Sequence, residues 1–353
     1  MRQRVLVALS GGVDSSVAAL LLKQSGYEVV GVTMILWTND EGTCGESTGG
    51  REIASHIPIV ERVCHVLNIP LHIIDARREF KHCVIDYFCR EYVQGRTPNP
   101  CIACNYHIKF GFILDYAVSS GFDYLATGHY VRVAQRNGTY CLLKGKDLNK
   151  DQSYMLYTLR QDRLRRVLFP LGEYSKAEVR GLARKYGLPN SDRKASQDLC
   201  FTSDFRRLLK RYLEPLEGKV VDSQGRVIGK HEGIMFYTIG QRHGLRLATG
   251  RPTYVVKIDA ANNVLVVGCE DQLFKSRFSV TMVNWVSGEP TLGPIEAGVK
   301  VRYKTPEQLA IVYPKERSAE VVLHKAQRAV TPGQAAVFYL GDEVIGGGII
   351  IDG

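Results

Sequence analysis

The segment Arg4-Val5-Leu6-Val7-Ala8-Leu9-Ser10-Gly11-Gly12-Val13-Asp14-Ser15-Ser16 constrains the fold more than any other stretch of the chain. Its first half is a short apolar run, the pattern of a buried strand. Its second half reads Ser-Gly-Gly-x-Asp-Ser-Ser. Gly11 and Gly12 have no β-carbon, so the backbone can turn sharply and bring its N–H groups close to an anion. Residues 16–22 carry apolar side chains at helical spacing, and the positive end of that helix faces the same point. A strand, a glycine turn and a helix in this order make a phosphate cradle within an α/β domain.

Loops that hydrolyse a γ-phosphate place a Lys before their Ser or Thr, and here Asp14 stands at that point. The loop instead resembles the pyrophosphate loop of enzymes that split ATP into AMP and pyrophosphate to adenylate a substrate oxygen. Asp14 is then a candidate Mg²⁺ ligand. Residues 29–36, 71–75 and 124–129 read as further strands, 59–67 as a helix, and the polar, glycine-rich stretch 39–51 as a surface loop. The first half is therefore expected to be a doubly wound parallel sheet, with ligands beyond the carboxyl ends of the strands.

From about Glu217 short strands broken by glycine turns take over, as in 220–228 and 253–259. More follow at 319–323 and 336–340, with Pro332-Gly333 as a turn. Three units are expected: an ATP pyrophosphatase domain over 1–212, a small β-rich central domain over 213–277 and a C-terminal β-barrel over 278–353. The 353 residues, 45% of them hydrophobic, suffice for such packed cores.

A net charge of +10, from 46 Lys+Arg against 36 Asp+Glu, favours a polyanionic partner. Nine scattered cysteines do not form the dense, even pattern of a disulfide-stapled secreted domain. With no apolar run long enough for a signal-peptide core or a membrane span, a cytoplasmic protein is expected.

Cys101-Ile102-Ala103-Cys104 lies in a proline-stiffened segment and can be a redox couple, a metal clamp or a nucleophile with an assistant. One such pair cannot complete a four-thiolate zinc site. Cys200 precedes a helix expected to start near a Ser203 cap, and Arg193 and Lys194 would lower its pKa if they lie close in space. Cys44, Cys64, Cys83, Cys89, Cys141 and Cys269 read as small buried hydrophobes.

Taken in order, Ser10 to Ser16, Gly95-Arg96-Thr97-Pro98-Asn99-Pro100 with Cys104-Asn105, Thr127-Gly128-His129-Tyr130, Lys150-Asp151-Gln152-Ser153-Tyr154, Cys200-Phe201 and Gly240-Gln241-Arg242 resemble the 2-thiouridylase family of tRNA-modifying enzymes over essentially the whole chain. The resemblance implies sulfur insertion at C2 of the wobble uridine in tRNAs for Lys, Glu and Gln, after ATP adenylates the C2 oxygen. It implies ATP binding by Ala8, Leu9, Ser10, Gly11, Gly12, Val13, Asp14 and Ser15 with Met34 and Gly128. It makes Cys200 the carrier of a persulfide from a sulfur-relay donor and Cys104 the nucleophile that resolves it. It assigns contacts with the tRNA anticodon loop to Asn99, Pro100, Cys101, His129, Lys150, Asp151, Gln152, Arg302, Tyr303 and Gln334. A monomer is expected.

One position departs from the family pattern: many members carry an acidic residue three positions before the nucleophile, where this chain has Cys101. Asp198 and Asp151 are the candidates to stand in for that carboxylate. Alternatively Cys101, Cys104 and Cys200 could ligate a [4Fe-4S] cluster with one iron open to hydrosulfide, a route that competes with the persulfide for the same thiols. Two other readings share parts of the pattern. A small-molecule synthetase with the same loop needs neither Cys104 nor Cys200, and a non-catalytic RNA-binding protein needs no Ser10 to Ser16.

Overall fold

The computed structural model describes residues 2–37, 56–193, 200–202, 204–247 and 250–352. The expectations placed on 39–51, Cys44, Lys194, Asp198 and Ser203 lie outside them.

The first strand, Arg4–Ala8, is the centre of a five-stranded parallel sheet. Across the sheet the strands run Leu71–Asp75, Glu28–Ile35, Arg4–Ala8, Tyr124–Ala126 and Val167–Leu168. Alternation sends Val5 and Val7 to one face, against the helices Val13–Gln24, Ile57–Leu67 and Lys176–Lys185, and Leu6 to the other, against Ile113, Leu114 and Ala117. The helix after the loop is buried nearly all round, through Val13, Ser15 to Leu20 and Leu22, so it is a core helix rather than an amphipathic one. Chain order reverses between Arg4–Ala8 and Tyr124–Ala126, and the crevice beyond their ends is where such sheets bind ligands.

Tyr124–Ala126 stops three residues short of the expected strand. Thr127, Gly128 and His129 leave the sheet to meet the glycine loop, and a β-carbon on Gly128 would stand 2.7 Å from both Asp14 C and Ser15 N.

The central unit is a four-stranded sheet in the order Tyr254–Asp259, Val264–Gly268, Gly218–Val221, Val227–His231, with the middle pair parallel. Phe274–Trp285, Ser318–Arg328, Gln308–Pro314, Ile295–Lys300, Ala335–Leu340 and Glu343–Ile350 form a barrel closed by pairing of the first with the last. The boundary expected at 277 falls inside Phe274–Trp285, whose first four residues are exposed, three of them polar, and therefore look like a linker. The barrel sheet also takes in the hairpin Val131–Arg136 and Thr139–Lys144 from the catalytic domain, through Glu343 opposite Leu143 and Val344 opposite Leu142. Among the described residues no helix is long and apolar enough to cross a membrane.

Candidate active site

Gly11 takes φ +73°, the turn that a side chain would resist. Gly12 N-caps the following helix without a side-chain cap, so the first amides of that helix are left for a ligand. Internal bonds set the loop: Ser10 N–H donates to Ser15 Oγ at 3.2 Å, and the Ser15 and Ser16 hydroxyls each donate to Gly12 O at 3.1 Å. Ala8 ends the strand, Leu9 N–H donates to Val32 O at 2.7 Å, and Met34 lies half-buried near the end of the next strand. The expected ATP residues Ala8 to Ser15, Met34 and Gly128 thus lie at the carboxyl end of one sheet.

Asn190 and Lys176, which motif reasoning missed, complete the loop together with Tyr130 of the Thr127-Gly128-His129-Tyr130 motif. Buried Asn190 donates Nδ2 to Gly11 O at 3.0 Å and Ser16 Oγ at 2.9 Å. Lys176 pairs with Asp14 Oδ1 at 2.5 Å, and the Tyr130 hydroxyl donates to the same oxygen at 2.7 Å. Lys176 opens a helix behind the capping box Ser175 and Glu178, a signal readable in sequence, whereas nothing local points from there to the loop. Asp14 is half-buried with one oxygen committed, which suits a Mg²⁺ held mainly by phosphates and water.

Arg193 donates to Gly11 O at 3.3 Å rather than serving Cys200. The pKa expected to fall at Cys200 is instead pushed up to about 12, by desolvation first and then by Cys104 and Cys101. The residue is exposed, yet protein crowds its thiol from the other side.

Asn99 caps the short helix Pro100–Ala103, its Oδ1 accepting from Cys101 N at 3.1 Å and Ile102 N at 3.3 Å. Cys104 is buried and begins a π-helix, Cys104–Ile113. Bonding from i to i+5 carries Lys109 round to the side of Cys104. Lys109 Nζ is anchored on Asn105 Oδ1 at 2.9 Å, and buried Asn105 donates to Met155 O at 3.1 Å. Burial raises the pKa of Cys101 and of Cys104, and Lys109 is the charge that pulls both of them and Cys200 back down. Sequence reasoning looked for that cation at 193 and 194.

The structure therefore brings Cys101, Cys104 and Cys200 within electrostatic reach of one another, but among the described residues no three Cys, His, Asp or Glu side chains group closely enough to hold a metal ion. All eight described cysteines are free. Cys64, Cys89 and Cys141 are buried as expected, Cys83 is half-buried, and Cys269 is exposed at the start of a short turn rather than buried.

The residues expected to touch tRNA are mostly engaged within the protein. Lys150 is exposed. His129 is buried between Phe110 and Phe169, bonded to Thr127 Oγ1 at 2.7 Å, and its burial holds it neutral. Gln152 Oε1 accepts from Tyr130 N at 3.0 Å. Arg302 donates to Ala329 O and Thr331 Oγ1, both at 2.6 Å, and Tyr303 lies against Tyr154 at 6.1 Å. Buried Asp151 accepts from Gly145 N at 3.0 Å and from the Ser153 N–H and hydroxyl at 3.1 and 2.8 Å, so it has no freedom to replace the missing carboxylate.

Family models match nearly the whole chain: a tRNA methyl transferase HUP domain over residues 3–204, a tRNA methyl transferase PRC-barrel domain over 206–269 and an aminomethyltransferase beta-barrel domain over 275–350. The tRNA-specific 2-thiouridylase MnmA of Carboxydothermus hydrogenoformans is 48% identical, over 99% of this chain and 98% of that protein. The tRNA-specific 2-thiouridylase MnmA of Clostridium acetobutylicum is 44% identical, over 99% of this chain and 100% of that protein. A solved 4-thiouridine synthetase–RNA complex with bound ATP is similar over 59% of this chain and 50% of that one, at 17% identity and a TM-score of 0.38, too distant to add to the case. With full-length relatives at this identity and the loop and thiols in place, the chain belongs to the tRNA-specific 2-thiouridylase family of enzymes.

Proposed function

We propose that this enzyme adenylates the C2 oxygen of the wobble uridine in tRNAs for Lys, Glu and Gln and replaces that oxygen with sulfur, acting in the cytoplasm and as a monomer away from tRNA. The observation that carries the reading is the approach of Cys200 to Cys101 and Cys104, thiols remote in sequence, in a domain that also carries a pyrophosphate loop.

The uridine oxygen attacks the α-phosphorus of ATP, the N3 proton leaves, and pyrophosphate departs into the loop of Ser10 to Ser16. The free helix amides and Lys176 face the charge that builds there. Bound Mg²⁺, with Asp14 as its protein ligand, would supply further neutralisation of the phosphates. A donor protein delivers sulfur to Cys200 as a persulfide. Its terminal sulfur attacks C2 and AMP leaves with the old oxygen. Cys104 then attacks the Cys200 sulfur, forming a Cys104–Cys200 disulfide and freeing the C2 thiolate, which is protonated at N3 to give 2-thiouridine. A dithiol reductant restores both thiols.

Among the described residues no three ligating side chains group closely enough to hold a metal ion, so no step is routed through a cluster. The test is 2-thiouridine formed in unmodified tRNA by iron-free protein given ATP, Mg²⁺ and a persulfide donor, beside an anaerobically cluster-reconstituted sample. Product from iron-free protein supports the persulfide route. Product only after reconstitution overturns it, and product in neither overturns the activity itself.

A further inference from the structure

The segment 95–98, immediately before the nucleophile's helix, is held by two other parts of the molecule. From the barrel, Pro332 O accepts from Thr97 N at 2.8 Å, and Gln334 Nε2 donates to Thr97 O at 2.8 Å and Pro98 O at 3.3 Å. Gly333, at φ +91°, comes so close that a β-carbon on it would stand 2.8 Å from Thr97 N. From the central unit, Thr238 Oγ1 accepts from Thr97 Oγ1 at 3.3 Å, and a β-carbon on Gly95 would stand 2.7 Å from Ile258 Cγ2.

The next residue is the Asn99 cap on Cys101 and Ile102. Pro98 and Pro100 flank it, each with φ locked by its ring and each restricting the residue before it, so this stretch has few rotations in which to absorb a displacement. A shift at the Thr97 and Pro98 carbonyls therefore moves Asn99 and the turn that ends in Cys104. The family pattern assigns Gln334 to RNA, yet its side-chain amide nitrogen is directed at the Thr97 and Pro98 carbonyls.

We propose that Gln334 is a positioning residue for Cys104: by gripping Thr97 and Pro98 it fixes the Asn99 cap, so that the seating of RNA against the barrel is converted into placement of the nucleophile. The inference rests on the sulfur-transfer reading for its consequence, though not for the linkage itself.

The experiment uses the full chain with Gln334→Ala and the milder Gln334→Asn, whose shorter amide cannot span both carbonyls. Amide hydrogen exchange at 101–103 is measured without RNA, together with the single-turnover thiolation rate at saturating tRNA and the tRNA half-saturation point. Exchange at 101–103 should rise and the saturated rate should fall, each by about tenfold, while half-saturation moves less than about twofold. The Ile350 amide, bonded to the Gln334 backbone carbonyl at 2.8 Å, should keep its protection and so report an intact barrel in either variant. Loss of tRNA affinity with exchange and saturated rate intact would make Gln334 an RNA contact and overturn the proposal, as would no change in any readout. If wild-type protein makes no 2-thiouridine, the sulfur-transfer reading fails, and exchange at 101–103 still decides the linkage.

Discussion

The Lys176 ammonium lies 2.5 Å from Asp14 Oδ1, so the loop that lacks a lysine in its own sequence borrows one from a helix far along the chain. Its Nζ also stands 5.8 Å from the centre of the Tyr130 ring. On the proposed reading, an arriving triphosphate competes with Asp14 for this cation. Lys176→Met keeps the length and removes the charge, a loss of about 1.5–3 kcal/mol for a charge-assisted bond. Inhibition by pyrophosphate should weaken about tenfold to a hundredfold while inhibition by AMP holds. Equal retention of both would refute the role.

Gly128→Ala should damage the ATP site from the opposite loop. The added methyl meets Asp14 C and Ser15 N at 2.7 Å, and both are backbone atoms that cannot swing aside. Overpacking of this kind costs about 1–3 kcal/mol. A lowered melting temperature with ATP binding weakened beyond detection is expected. A variant that binds ATP like the wild type would show that the two loops can part freely.

Thiol reactivity should follow pH in an unusual range. Cys200 is raised from 9.0 to about 12, so alkylation by iodoacetamide in the free protein should go on climbing above about pH 10, where a thiol with the ordinary pKa of 9.0 levels off. The sign for stability follows. Below pH 9 the thiol is protonated in both states and its contribution is whole; between pH 9 and about 12 only the unfolded chain ionises, and the contribution is lost. Lys109→Met removes the charge that opposes burial, so it should slow labelling of Cys101, Cys104 and Cys200 at pH 8. Unchanged rates would show that Lys109 does not act on the thiols.

Asp151 should behave as a structural residue. Asp151→Ala leaves the Gly145 and Ser153 amides without their acceptor and should cost about 2–4 kcal/mol in urea denaturation. Asp151→Asn keeps an acceptor oxygen and should retain most of the thiolation rate at saturating tRNA. Abolished activity in a stably folded Asp151→Asn protein would restore Asp151 as the stand-in for the missing carboxylate.

What was legible in the sequence was what a short stretch of chain carries by itself. The run from Arg4 to Ser16 shows strand, turn and helix through local alternation and two glycines, and Pro332-Gly333 shows its turn in the same way. The partners of those features were not legible, because they are decided by where distant segments fold. Lys176, Asn190 and Arg193 reach the loop from a helix and a turn with no motif to mark them. Lys109 stands five residues after Cys104, a spacing that in an α-helix points elsewhere, and only the π-helical winding brings it round. Asp151 looked like an available acid because a sequence shows a carboxylate and not the three hydrogen atoms that fill its acceptors.

The hairpin of 131–144 leaves the catalytic domain and finishes the barrel's sheet, with Lys144 N bonded to Asp342 O at 2.8 Å and Arg132 to Asp342 Oδ2 at 3.0 Å. The barrel is therefore not a detachable module. A fragment ending before Phe274 would carry a ribbon with a newly bared edge along Thr139–Lys144, and the complementary fragment would expose the amides at the start of Glu343–Ile350, both open to pairing with strangers. Shuffling this barrel onto another enzyme by recombination would fail at that seam unless the recipient brought a matching hairpin, which binds the two halves of the gene to a shared inheritance.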